Sequence, residues 1–267
     1  MKKHSLQIAS LSLALPLLLA GCTTTTNASS TASGSPHPQA WSYSGPAGPK
    51  SWGEISAACS TGTAQSPIEL TRSMLNVADV GAPEVHYQPT VFEVENNGHT
   101  IEVTPENETD NYMVLGGETY YLQQFHLHST SEHTIDGVRS DLELHLVNKT
   151  TSGKVAVLAV LFNAGAANTA LANFFAEMPQ KVTGEEESDP VSGTINPAEL
   201  LPADSKIIQY EGSLTTPPCS EGVHWNVYET PGEISTTQLS AFEKLYPHNS
   251  RPLQKINDRT GTEITTP

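Results

Sequence analysis

Three histidines stand in two short apolar runs: His126 and His128 in QQFHLHS (123–129), and His145 in DLELHLVN (141–148). A strand turns successive side chains to opposite faces, so His126 and His128 share a face, with Cα atoms roughly 6.5–7 Å apart. The second run sorts the same way. Leu142, Leu144 and Leu146 alternate with Asp141, Glu143, His145 and Val147, giving an aliphatic face and one that carries a carboxylate and an imidazole. If the two strands pair antiparallel, His145 comes opposite the His126/His128 pair. Three imidazoles then form a tripod that leaves the fourth tetrahedral position of a metal ion open for water or substrate. A closed structural site needs a fourth protein ligand, and no cysteine lies nearby. Zinc suits an imidazole-only donor set, and copper or nickel fits the same donors. Gln124 and Glu143 each precede a candidate ligand by two residues on its own face, where each can accept a hydrogen bond from the ring nitrogen turned away from the metal.

Strand signals dominate the chain that must position these groups. VFEVEN (91–96), HTIEVTP (99–105), TYYLQQFHLHS (119–129), DLELHLVN (141–148), KVAVLAVLFN (154–163), IIQYEGSL (207–214) and GVHWNVYE (222–229) are short and rich in β-formers or alternating. Gly116-Gly117 and Thr151-Ser152-Gly153 between them read as hairpin turns. Helical patterns are few: 168–178, stopped by Pro179, and 236–246, stopped by Pro247. The class is mainly β (α+β), a single domain built on one large twisted sheet with a few peripheral helices.

The N-terminal part reads differently. Met1-Lys2-Lys3 precedes an apolar run from Leu6 to Ala20 that is too short and too interrupted to span a bilayer. It ends in Leu19-Ala20-Gly21-Cys22, a lipobox-like sequence, so residues 1–21 are expected to be a lipoprotein signal peptide and Cys22 the lipidated mature N-terminus. Residues 22–40 lack large apolar side chains and are expected to form a flexible Thr/Ser-rich tether. The domain is expected over 41–267. The protein is thereby expected to be exported and lipid-anchored to the bacterial cell envelope, on its periplasmic or cell-surface face. Of the other cysteines, an exported chain is expected to pair Cys59 with Cys219. A formal charge of −16 argues against nucleic acid and against an anionic membrane surface as partners. Membrane contact is expected only through the N-terminal lipid, and a homodimer stays open.

QFHLHSTSEHT, followed by ELHLV, together with NNGHTIEV and YEGSLTTPPC, resembles the α-class carbonic anhydrases, and bacterial members in particular. The resemblance runs from Trp41-Ser42-Tyr43 and QSPIEL (65–70) to NSRPLQKINDR (249–259). It implies a central, mostly antiparallel sheet of about ten strands, with a cavity leading to zinc. It also implies reversible hydration of carbon dioxide to bicarbonate and a proton by zinc-bound hydroxide. On this resemblance His126, His128 and His145 are the zinc ligands, supported by Gln124, Glu143 and the backbone carbonyl of Asn249. Thr215 orients the hydroxide and Glu132 receives that threonine's proton. Val147, Val157, Leu214 and Trp225 wall the carbon dioxide site, with Thr215 and Thr216 beside it. His99 is the proton shuttle, and Tyr43 and Asn97 line its water path. Cys59 and Cys219 match the disulfide of exported members. Glu102 departs from the pattern, standing where many relatives have a neutral amide. The alternative is a non-catalytic binding or adhesion module on the same fold, which the retained histidines, Thr215 and Glu132 disfavour.

Overall fold

Alternating side chains sort onto the two faces of a large sheet, and that sorting builds the molecule. The computed structural model describes residues 41–76, 81–183, 189–190, 192–203 and 206–265; the leader, Cys22 and the tether fall outside the described residues. The described residues belong to one compact unit, Pro38–Pro267. Among the described residues its main sheet has twelve strands, ten of them in the order Asp189–Pro190, Phe92–Asn96, Ile101–Pro105, Glu118–His128, Leu142–Lys149, Val155–Ala164, Glu221–Ile234, Lys206–Ser213, Gly261–Thr265 and Leu75–Asn76. Glu84–His86 and Tyr112–Leu115 pair beside Glu118–His128. Pairing is antiparallel except between Val155–Ala164 and Glu221–Ile234, and between Gly261–Thr265 and Leu75–Asn76.

Both expected hairpins form. Gly116 and Gly117, at φ 59° and 79°, turn Tyr112–Leu115 back onto Glu118–His128, a conformation that glycine adopts without a steric penalty. The turn containing Gly153 joins Leu142–Lys149 to Val155–Ala164. On one face, Leu127, Phe125, Leu144, Leu146, Leu158 and Val160 join the larger apolar core. On the other, Val157, Ala159, Val223, Trp225 and Val227 form a second core. The histidines project from the face of this second core, whose Trp225 packs against His145.

Strict alternation breaks once in the histidine strand. Val147 pairs with Gln124, but the next residue, Asn148, pairs with Leu122, leaving Gln123 as an extra residue. This bulge shifts the alternation by one. Tyr120 and Leu122 face the larger core before it, and Phe125 and Leu127 after it. Gln124, His126 and His128 therefore come together on the opposite face.

Helices are shorter than their sequence patterns: Ala172–Glu177 within 168–178, and Thr236–Glu243 within 236–246. The second begins at a capping box between Ser235 and Gln238. Two further short helices, Trp52–Ile55 and Ala58–Thr61, have no apolar periodicity long enough to reveal them. The second carries Cys59, whose disulfide to Cys219 closes a sequence separation of 160. In the chain-entropy description, a loop of that size stabilises the fold by roughly 5 kcal/mol before strain.

Candidate metal centre

His145 pairs directly opposite His126, and Glu143 opposite His128. The three imidazole centroids lie 4.9, 5.2 and 4.6 Å apart, and one ring nitrogen from each lies within 4.8 Å of the others. The remaining nitrogens are already engaged: His126 Nδ1 with Gln124 Oε1, His128 Nδ1 with the Asn249 carbonyl, and His145 Nε2 with Glu143 Oε1, each at 2.7 Å. This leaves His126 Nε2, His128 Nε2 and His145 Nδ1 for a ligand. His128 Nε2 is buried and makes no hydrogen bond. A buried ring nitrogen without a partner is costly unless something else binds it.

Burial and the mutual proximity of the rings hold all three histidines on the neutral side. His126 lies well below 6.5, through burial and then His128 and His145; His128 falls to about 4, chiefly through burial; His145 is lowered by burial and then by His128. Neutral imidazoles offer the lone pairs that a metal requires. The donor set fits a divalent transition metal.

Glu143 anchors the cluster. Its carboxylate accepts from the backbone N–H groups of Glu132 and His133 at 2.7 and 2.8 Å, and from His133 Nδ1 and His145 Nε2, both at 2.7 Å. Burial alone would raise its pKa, but His133 and His145 outweigh burial and hold it well below the usual carboxylate value. Since His133 donates through Nδ1, its Nε2 accepts from the Tyr210 hydroxyl at 2.6 Å, and Tyr210 in turn accepts from Ser66 Oγ at 2.8 Å. His133 escaped the sequence analysis. It is fully buried, but it lies in a loop where no alternation marks it, so only its place in the quoted SEHT could have drawn attention to it. His133, Glu143 and His145 also have metal-like proximity, yet hydrogen bonds already join them.

The other expected residues gather around the tripod. Asn249 accepts from His128 through its carbonyl and donates through Nδ2 to the carbonyls of His99 and Leu127. Glu132 is fully buried and accepts from the Arg251 N–H at 2.7 Å. Burial raises its pKa to about 7, opposed by His145, while the Glu143 charge adds to the rise and Arg251 and Thr215 oppose it. Thr215 thus stands beside the Glu132 carboxylate, but Oε2 is left without a hydrogen bond. Val147, Val157, Leu214 and Trp225 share the second apolar core. Trp225 is held by its indole N–H, which donates to the Ser213 carbonyl at 3.0 Å. Gly212 admits it: a Cβ there would lie 2.8 Å from the indole and 2.1 Å from Ser66 Oγ. Thr216 accepts from the Cys219 N–H, closing the turn that the disulfide pins.

Farther out, His99 stacks on Trp41 with centroids 3.7 Å apart and planes 7° from parallel. This contact joins segments distant in sequence and was not foreseen. Burial lowers the His99 pKa from 6.5. Asn97 accepts from the backbone N–H groups of His99 and Thr100, both at 3.0 Å. Tyr43 packs edge-on against Trp41 and Trp52. A separate cleft of about 650 Å³, lined by Tyr120, Lys154, Glu211 and His224 among others, includes Trp225 but none of the three imidazoles. Chemistry, rather than cleft size, locates the site.

An open tripod of neutral imidazoles on a large mixed sheet defines a metalloenzyme site. Residues 47–263 match the family described as eukaryotic-type carbonic anhydrase. A carbonic anhydrase of Nostoc sp. is 38% identical over 84% of this chain and 85% of its own, and one of Neisseria gonorrhoeae is 38% identical over 84% and 87%. Among solved structures, the α-carbonic anhydrase of Thermovibrio ammonificans superposes with a TM-score of 0.79 at 38% identity, covering 84% of this chain and 98% of that one. The Photobacterium profundum α-carbonic anhydrase gives 0.77 at 37%, covering 84% and 100%. The chain belongs to the α-class carbonic anhydrase family. It is a carbonate dehydratase that reversibly hydrates carbon dioxide to bicarbonate and a proton. Nothing in these likenesses favours the binding-module alternative.

Proposed function

We propose that the metal is zinc, held by His126 Nε2, His128 Nε2 and His145 Nδ1. The supporting observation is that each ring's other nitrogen is committed to Gln124, Asn249 or Glu143, which turns one lone pair from each ring toward the common space. Zinc, when bound, lowers the pKa of a water molecule to about 7, a value established on carbonic anhydrases themselves. The rest is the work of the chain. Thr215, as donor to Glu132, can only accept from the attacking oxygen, which aims that oxygen's lone pair at carbon. Val147, Val157, Leu214 and Trp225 exclude water where the apolar substrate rests, with Thr216 at the edge. His99 passes the released proton outward, since an imidazole titrates near the pH at which the reaction runs. Stopped-flow hydration of carbon dioxide, with metal content measured on the same sample, tests this assignment. One zinc per chain with fast hydration is expected, and one zinc per chain without hydration would overturn these roles.

Export and lipid anchoring through Cys22 belong to the same proposal. They are supported by the leader composition and by the Cys59–Cys219 disulfide, which requires an oxidising compartment to persist. Cys22→Ser should release the protein from membranes. Mass spectrometry finding Cys22 unmodified in a native membrane fraction would count against the anchor.

A further inference from the structure

Glu102 touches both the support of one imidazole and the segment that carries His99. It pairs with His126 in the strand register, while its neighbours Ile101 and Val103 are buried in the larger core. Its Oε2 accepts from Asn97 Nδ2 at 3.3 Å and from Gln124 Nε2 at 3.4 Å. One carboxylate oxygen thus receives two side-chain amides.

The three groups supporting the imidazoles differ in one chemical respect. The Asn249 carbonyl behind His128 and the Glu143 carboxylate behind His145 can only accept. Gln124 behind His126 can accept through Oε1 or, turned over, donate through Nε2. Turned over, it would donate to His126 Nδ1, leaving the proton of a neutral ring on Nε2 and closing the ligand position. An ionised Glu102 offers no donor, so Gln124 must turn its NH2 outward to Glu102 and its oxygen inward to His126, where it lies at 2.7 Å. We infer that Glu102 is a positioning residue: it fixes the amide of Gln124 and, through it, the metal-binding tautomer of His126. The same oxygen turns Asn97 so that its Oδ1 faces the N–H groups of His99 and Thr100.

This inference rests on the proposal that the tripod binds zinc, and the test separates the two. Zinc-loaded full chain is equilibrated against a chelator of known affinity, with near-UV circular dichroism to confirm the fold. Gln124→Leu should weaken zinc binding by about 10–100-fold, and Glu102→Gln, one step farther out, by about 3–10-fold. Combined with Gln124→Leu, Glu102→Gln should cost nothing more, because its effect passes through Gln124. Glu102→Asp keeps an acceptor-only group and should bind zinc more tightly than Glu102→Gln. An equal loss from Glu102→Gln with and without Gln124 would mean that Glu102 acts only through its charge, and would overturn the inference. So would no loss at all, or a Glu102→Asp protein no better than Glu102→Gln. A wild type that takes up no zinc would overturn the zinc proposal as well.

Discussion

At the base of the site, Glu143 takes four hydrogen bonds, from His133, His145 and two backbone amides, and all its partners are buried. At the approach, His99 is half-buried and stacked on one indole, and among the described residues its ring makes no hydrogen bond. In their proposed roles the two regions serve different needs. A metal site loses affinity if a ligand changes tautomer or tilts, so its groups are over-determined and dry. A proton carrier must exchange with water and turn its ring, so partial burial and a single stacking contact suit it. Glu102 lies between them, with one oxygen reaching a support from each side.

Substitutions in the two regions test whether these demands really differ. The largest effect is expected from His145→Ala, which removes a ligand: most metal and nearly all hydration activity should be lost, as read by metal analysis and stopped-flow kinetics. Full activity would exclude this site. At the approach, His99→Ala should slow turnover in dilute buffer by of order 10²-fold, leave carbon dioxide–bicarbonate exchange at equilibrium intact, and recover when imidazole is added at tens of millimolar, on the order of a normal buffer concentration. Unchanged turnover in dilute buffer would remove the shuttle role. Glu143→Gln keeps the volume but puts a donor where two imidazoles donate. Zinc affinity should fall by about 10–100-fold while the metal remains bindable, as read by chelator competition.

The smallest effect is expected from Trp41→Ala. Burial lowers the His99 pKa, so uncovering the ring should raise it toward 6.5. Nuclear magnetic resonance titration of the ring would show this, and a fall would contradict the burial argument. The sign carries over to stability. Between the folded value and 6.5 the unfolded chain holds more protons at His99, so stability at this residue is lost as pH falls through that window. Trp41→Ala should narrow the window.

The sequence made the tripod legible because period-two alternation is local: His126 and His128 share a face by spacing, and Leu142, Leu144 and Leu146 mark which way His145 points. Both hairpins were legible from their glycines. Helix ends were less so, because Ala172–Glu177 and Thr236–Glu243 stop short of their prolines. Contacts between distant segments left no mark. The Trp41–His99 stack joins two loops, and His133 meets Tyr210 across 77 residues. Asn249 supports His128 through a backbone carbonyl, a group every residue possesses, so only the family resemblance singled it out. Glu102 was visible as a departure, but its meaning depended on which amides it meets.

The extra residue at Gln123 makes the metal site a matter of counting. Because the bulge offsets the alternation by one, no exchange of one side chain for another at position 123 alters which way Gln124, His126 and His128 face. Loss of that one residue would leave the alternation regular, with Leu122 still opposite Asn148 and Gln124 still opposite Val147, so all three would keep their face and Phe125 and Leu127 would stay in the larger core. In genetic terms, the facing of the ligands survives both substitution at this point and deletion of that single codon.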